Sequence, residues 1–384
     1  MLVRAQDFIK SLLSVGGASS TVLEAVVPYA VEAQTDYLGY HTHASVDPAS
    51  ARDFAETALA RAAAQCAAGD DGAALTPVGL AVTASLATNR TRRGANRALI
   101  ATAISGKVTL YELNLEKEHR DREGEDRCVS WAMLEAVCVA LSEAAGTSAP
   151  MVSLPPGLLD GEGEGVTVTD ITPPADPIAA LLAGEVGSVT VHPNGRMSAD
   201  CPFNGAVLAG SFNPLHEGHV GLLTAGAEAT GLPMAFELAL TNADKGSLDA
   251  ETVAARVAQF AEGGAGGGMT LLLTTAPTFI EKTRAVPGCT FVVGYDTAVR
   301  LIMDKYYGGT NAGLREAFRD VADVGASFIV AGRVSDDSGE FESFDAEVEC
   351  AAVGVDAGLF RTMTEGEFRM DISSSELRAK GKGL

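Results

Sequence analysis

The chain has 384 residues, of which 47% are hydrophobic and 20% charged. That composition supplies packed cores and excludes global disorder, and the length favours two domains over one. The net charge of −22 excludes an unspecific nucleic-acid binder, which would be basic, so any polyphosphate must be held by local cations and backbone donors. Six cysteines stand singly at positions 66, 128, 138, 201, 289 and 350, a pattern of reduced buried thiols rather than of zinc or disulfides. No apolar run reaches the length of a membrane span, and the start lacks the charged-then-apolar plan of a signal peptide. A cytoplasmic protein without a membrane partner is therefore expected.

Residues 1–148 read as one α/β domain. Phe8 to Leu13 ends a helix, and Ser14 to Ser20 is a loop of small residues. Val22 to Tyr29 is apolar and β-branched, which predicts a strand. Ala49 to Ala68 is an Ala-rich helix of good intrinsic propensity. Val78 to Thr83 predicts a short strand, and Ala98 to Leu113 a strand pair turned at Ser105-Gly106. Arg120 to Leu141 is a long helix whose inner face carries Val129, Met133, Ala136, Val137 and Ala140. His41 and His43 lack an evident third ligand and read as loop residues. The basic run Arg90, Arg92, Arg93 reads as a solvated loop or a phosphate contact.

Ser14 to Tyr29, Glu32-Ala33, Leu38-Gly39, Pro77-Val78-Gly79 and Ala81-Val82-Thr83 carry a resemblance. Over residues 1–145 the chain resembles the C-terminal domain of CinA proteins, the nicotinamide-nucleotide amidohydrolases. The departures are informative. Leu2 stands where that family has its serine, and Gln34 where it has a lysine, while Tyr29 matches its tyrosine. A missing hydroxyl removes the nucleophile and a missing ammonium removes its activation. The resemblance therefore implies a degenerate amidohydrolase kept for structure, nucleotide binding or assembly, with a homo-oligomer formed through this domain.

Residues 149–203 shift in composition. Gly, Pro, Asp and Glu recur in Leu154-Pro155-Pro156-Gly157, Gly161 to Gly165 and Thr172-Pro173-Pro174, which predicts a linker. Within it, Asp176 to Ala183 forms a short helix and Ser188 to Met197 a hairpin turned at Pro193-Asn194-Gly195.

Residues 204–384 alternate strand and helix. Ala206 to Ala209 is a buried strand, and His219 to Thr230 a helix stopped by Gly231, with Val220, Leu223 and Ala227 facing inward. Further strands are expected at Met234 to Leu240, Thr270 to Thr275, Thr290 to Val293 and Ser327 to Ala331. Helices fall at Thr252 to Glu262, Phe279 to Val286, Asp296 to Met303 and Asn311 to Val324. Such alternation implies a parallel sheet with ligands beyond the carboxyl ends of its strands.

One stretch organises this domain: Gly210-Ser211-Phe212-Asn213-Pro214, then His216-Glu217-Gly218-His219. A strand, a tight turn and a helix start place free N–H groups and two imidazoles together, which suits attack on a nucleotide phosphate. The sequence resembles the signature of the HxGH nucleotidylyltransferases. These include the nicotinamide and nicotinate mononucleotide adenylyltransferases and the cytidylyltransferases. Three later stretches fit the same resemblance: Lys245 after the second strand, Gly294-Tyr295-Asp296 after Val293, and Ile372-Ser373-Ser374-Ser375-Glu376-Leu377-Arg378 near the end. Asp296 also reads as the N-cap of its helix, and Ser373 with Glu376 as a capping box.

The resemblance implies a Rossmann-like sheet and nucleotidyl transfer with release of pyrophosphate. His216, His219 and Arg378 are its catalytic candidates. Gly210, Ser211, Phe212, Asn213, Lys245, Gly294, Asp296, Ile372, Ser373, Ser374 and Ser375 are its nucleotide-binding ones. Mg2+ comes with the triphosphate rather than from a protein metal site. The expected partners are a nucleoside triphosphate, ATP before CTP, and a small phosphorylated acceptor, a pyridine mononucleotide before a phospho-alcohol. A silent nucleotide-binding scaffold is the remaining alternative.

Overall fold

The computed structural model describes residues 6–39, 46–67, 76–88, 93–148, 152–242, 246–261, 263–334 and 340–369. The chain is mixed α/β and divides into two compact units, Met1–Ala175 and Asp176–Leu384.

In the first unit, β1 (Gly79–Ser85), β2 (Asn96–Ile104), β3 (Lys107–Leu115) and β4 (Gly165–Ile171) form an antiparallel sheet in sequence order. Alternation along the strands sorts the side chains onto two faces. Leu99, Ala101, Val108 and Leu110 pack with Ala51 and Ala55 of a long helix, Pro48–Ala67. Val82, Ile100, Tyr111 and Leu113 pack on the other face with Phe8 of α1 (Gln6–Leu13) and with Val129, Met133 and Ala136. Those last three belong to the helix Arg122–Ala145, which is capped by the Asp121 side chain and ended by left-handed Gly146. By length and composition alone this helix is apolar enough to cross a membrane, but its apolar side is covered by the sheet. With the short helix Val31–Leu38, the α-helices among the described residues of this unit are α1 to α4 in chain order.

Two expectations fail in this unit. Val22 to Tyr29 forms no strand and pairs with none among the described residues. The described part of the expected linker, residues 152–203, carries regular elements and is divided between the units. Its β4 completes the first sheet, held by Thr109 Oγ1 donating to Asp170 at 2.8 Å. The glycine-rich loop before β4 is pinned by Glu164, which accepts from Glu116 N at 2.9 Å, from Gly161 N at 3.0 Å and from the Arg120 guanidinium. Burial alone would raise the Glu164 carboxyl, but these donors outweigh it and hold it down at about 2.

The rest of the expected linker enters the second unit as α5 (Pro177–Ala183), β5 (Ser188–Val191) and β6 (Met197–Ala199). The further strands of the same sheet are β7 (Ala206–Ala209), β8 (Met234–Ala239), β9 (Leu271–Thr274), β10 (Thr290–Gly294), β11 (Ser327–Ala331) and β12 (Phe360–Thr362). Their order across the sheet is β12-β11-β10-β7-β8-β9-β5-β6. All neighbours from β12 to β9 are parallel, and β5 and β6 form an antiparallel margin. The chain thus runs outward from β7 through β8 to β9, returns to the other side of β7, and runs outward again from β10.

Helices cover both faces. One face buries Leu181 of α5, Leu223 of α6 (Glu217–Thr230) and Val253 of α7 (Ala250–Ala258). The other buries Ile280 of α8 (Phe279–Ala285), Leu301 of α9 (Tyr295–Leu301), Leu314 and Phe318 of α10 (Asn311–Asp323), and Cys350 of α11 (Ala346–Val353). α6 lies close on the sheet because residue 226 is glycine; a Cβ there would meet the Val292 side chain of β10 at 2.6 Å.

Candidate functional site

The stretch after β7 is built from the strand outward. Gly210 N donates to the Glu237 carbonyl at 3.0 Å, which extends the pairing with β8 by one residue. The chain then turns through Phe212 at φ +44°, a conformation that costs a bulky residue energy and needs support around it. Support comes from the core. Phe212 is 1% exposed and meets Phe236 and Phe260 edge-on, with ring centroids 5.2 and 5.3 Å away. Its ring also lies over residue 210, where a Cβ would meet it at 2.6 Å, so a glycine is required there. Phe212 is thus a buried prop beneath the turn, and it meets the His219 ring edge-on at 5.3 Å.

α7 clamps the same turn from the side. Arg256 donates to the Ser211 carbonyl, and Gln259 accepts from Leu215 N at 2.8 Å while donating to the Phe212 carbonyl at 3.0 Å. Ser211 itself is exposed and Asn213 half-buried.

α6 begins two residues earlier than the sequence pattern gives, at Glu217, because His216 is its N-cap. The His216 Nδ1 accepts from Gly218 N at 3.1 Å, and the His219 Nδ1 accepts from His216 N at 3.3 Å. Imidazole thus does on both sides what hydroxyls and carboxylates usually do in a capping box. The rings stack with centroids 3.7 Å apart and planes 27° apart. Burial holds the His216 imidazole below its usual range. Burial, with His216 alongside, pushes His219 down to about 4. Both rings are therefore neutral at pH 7, and their hydrogen-bond partners assign the remaining proton to Nε2. The helix start carries two neutral Nε2–H donors at the positive end of the helix dipole, an arrangement suited to phosphate oxygens, while the N–H groups of residues 216, 218 and 219 are taken within the cap itself.

Beneath the site, the Glu237 carboxylate is fully buried and takes the Lys282 ammonium at 2.7 and 2.9 Å and the Thr274 hydroxyl at 2.6 Å. The same Glu237 whose carbonyl receives Gly210 is thereby tied to α8.

Gly294 and Asp296 lie at the carboxyl end of β10, the neighbour of β7. Gly294, not Asp296, is the N-cap of α9. Asp296 sits in the first turn and is exposed, paired with Arg333 at 3.1 Å. Arg333 follows β11, also reaches Glu342 at 3.2 Å, and lies over the Tyr295 ring at 5.4 Å. Strand neighbours lie about 4.8 Å apart, so the carboxyl ends of β7, β10 and β11 span about 10 Å. The structure brings Gly210, Ser211, Phe212, Asn213, His216, His219, Gly294 and Asp296 to that row of strand ends. Lys245, Ile372, Ser373, Ser374, Ser375 and Arg378 lie outside the described residues, as do Leu2, His41, His43, Arg90 and Arg92.

Gln259, Arg333, Glu237 and Lys282 were not legible as site residues. Each has a partner 37 residues or more away along the chain, and no local pattern marks such partners. Among the described residues no group of three His, Cys, Asp or Glu could hold a metal ion. In the first unit, Gln34 is buried on α2 and Tyr29 is exposed. No family model matches the chain. No curated protein matches it.

Proposed function

We propose that the second unit is a nucleotidylyltransferase of the HxGH type with a Rossmann-like sheet. It moves the adenylyl group of ATP to a nicotinamide or nicotinate mononucleotide. An oxygen of the acceptor phosphate attacks the α-phosphorus, the bond to the bridging oxygen breaks, and pyrophosphate leaves with its magnesium. The reaction needs no protein nucleophile, only positioning and stabilisation of growing negative charge.

The observation that carries this reading is the stacked, neutral histidine pair capping α6 next to the β7–β10 boundary. There the strand order reverses, and α/β sheets bind ligands at that crevice. The Nε2–H donors of His216 and His219 serve the α-phosphate and its bridging oxygen. The exposed Ser211 steers the phosphates, Gly210, whose N–H is taken by Glu237, leaves room for the Phe212 ring beneath them, and Asp296 meets the nucleoside. On the resemblance, Lys245, Arg378 and the hydroxyls of Ser373, Ser374 and Ser375 hold the triphosphate. The first unit is read as a CinA-like domain without amidohydrolase activity.

The full chain, offered ATP or CTP in turn with a pyridine mononucleotide or a phospho-alcohol, is followed by pyrophosphate release. ATP with the pyridine nucleotide is the productive pair expected. CTP with a phospho-alcohol would make it a cytidylyltransferase, and binding without release would make it a silent scaffold. His216→Asn keeps a capping side chain but not the imidazole. It is expected to lower turnover about 100-fold or more with the melting curve little changed; unaltered turnover would remove His216 from the mechanism.

A further inference from the structure

We infer that the first unit binds a neutral molecule with one unbranched hydrocarbon chain, in an apolar cavity of about 420 Å³ beside β1. That volume lies within the range of small-molecule sites. At about 30 Å³ for each non-hydrogen atom it takes about 14 of them. The site belongs to this unit alone and needs nothing from the histidine turn. Its ligand differs from the nucleotide that the resemblance offers for this domain.

Two helices set the shape. α3 lines the cavity with Phe54, Ala58, Ala62 and Cys66. These stand four residues apart and form one stripe along the helix, about 18 Å long at the rise of an α-helix. Met133, Val137 and Leu141 make a second such stripe on α4, about 12 Å long. A volume of about 420 Å³ spread over about 18 Å leaves a section roughly 5 Å across, the width of one alkyl chain. Ala58 and Ala62, in the middle of the α3 stripe, keep that space open because their side chains end at Cβ.

Charge sets the chemistry of the ligand. Among the described residues of the lining the one charged side chain is Glu24. Its carboxylate is taken by Arg61 through two hydrogen bonds, at 2.5 and 2.7 Å. Arg61 also lies over the ring of Tyr37, another lining residue, at 5.1 Å. An anionic head would meet the Glu24 carboxylate and no described cation in the lining, and a cationic head would have to compete with Arg61. An uncharged head avoids both. Ser20, Thr21 and Thr76 also border the cavity, and their hydroxyls both donate and accept, which suits an alcohol or an amide.

The test uses the full chain and 1-decanol. Calorimetry is expected to give one site per chain with a Kd of about 1–100 µM. Decanoate has the same chain with an anionic head, and 2-naphthol has the same hydroxyl on a flat ring pair. Each should bind at least about 10-fold more weakly than 1-decanol, and a nucleoside triphosphate should not compete. Bound 1-decanol should slow the labelling of Cys66 by a neutral maleimide. Cys138, the other half-buried thiol and not a lining residue, serves as the internal control. Ala62→Phe fills the slot and should weaken 1-decanol about 10-fold or more with circular dichroism unchanged. No saturable binding, or Cys66 labelling indifferent to 1-decanol, overturns the inference. So does decanoate, 2-naphthol or the triphosphate binding as tightly as the alcohol, or an affinity that a folded Ala62→Phe chain leaves untouched. Where that variant does not fold, protection of Cys66 in the parent chain decides.

Discussion

Replacing Lys282 by Met isolates what the buried ion pair contributes beneath the histidine turn. Met keeps the length and the apolar stem but removes the ammonium. The Glu237 carboxylate, fully buried, then keeps only the Thr274 hydroxyl of its side-chain donors at 2.6 Å. Removing one partner of such a pair costs about 3–5 kcal/mol, against a typical total stability of about 5–15 kcal/mol. At a urea m-value of about 2–3 kcal/mol/M the midpoint should fall by about 1–2.5 M. The two units can unfold separately, so the assay needs two probes. The single tryptophan, Trp131, lies in α4 and reports the first unit, whose transition should stay in place. Circular dichroism should show the earlier loss of the second. The double variant Glu237→Met/Lys282→Met removes both charges and should recover to within about 1–2 kcal/mol of the parent. A single variant within about 1 kcal/mol of the parent would refute the reasoning. So would a double variant no more stable than the single.

Two further outcomes follow from the same turn. Gly210→Ala forces a Cβ to within 2.6 Å of the Phe212 ring, which should cost about 1–3 kcal/mol. Because Phe212 props His219, the variant should also lose turnover at a temperature where circular dichroism shows it folded; full turnover there would separate Phe212 from the site. The second outcome is a pH dependence. An unfolded histidine takes its proton near pH 6.5, whereas folded His219 resists until about 4. Its contribution to stability is therefore fully present above about pH 6.5 and is lost as pH falls through that interval. Urea midpoints measured from pH 7 down to pH 4 should fall more steeply for the parent than for His219→Gln; parallel slopes would contradict the buried neutral imidazole.

The histidine turn was legible because its parts are contiguous. Residues 206–231 carry a buried strand, a glycine turn, two histidines and a glycine stop in one short run, and each signal acts within a few residues. What the pattern hid are the conformations and partners that hold the run in shape. Nothing local marks Phe212 as left-handed, and an imidazole is not among the usual caps, so the helix start was displaced by two residues. Asp296 reads as a cap by residue type, yet the chain turns into the helix at Gly294, leaving the carboxylate for Arg333 across a neighbouring strand.

The sheet errors have one cause seen from two sides. Val22 to Tyr29 has strand propensity but no partner in its sheet, and propensity alone does not make a ladder. β4 has a partner but little hydrophobic signal, since Thr167 to Asp170 are exposed on an edge, and its flanking glycines imitate a linker. Strand pairing is a property of two segments, here β3 and β4 about 50 residues apart, while propensity is read from one. The same reasoning separates the site from its support. The two histidines proposed for chemistry sit close in sequence at one turn, whereas Gln259 and the Glu237 carbonyl reach that turn from other elements of the same sheet unit, and Lys282 acts one step behind through the Glu237 carboxylate. Substitutions in that support should therefore be felt in turnover even though none of these residues belongs to the histidine motif.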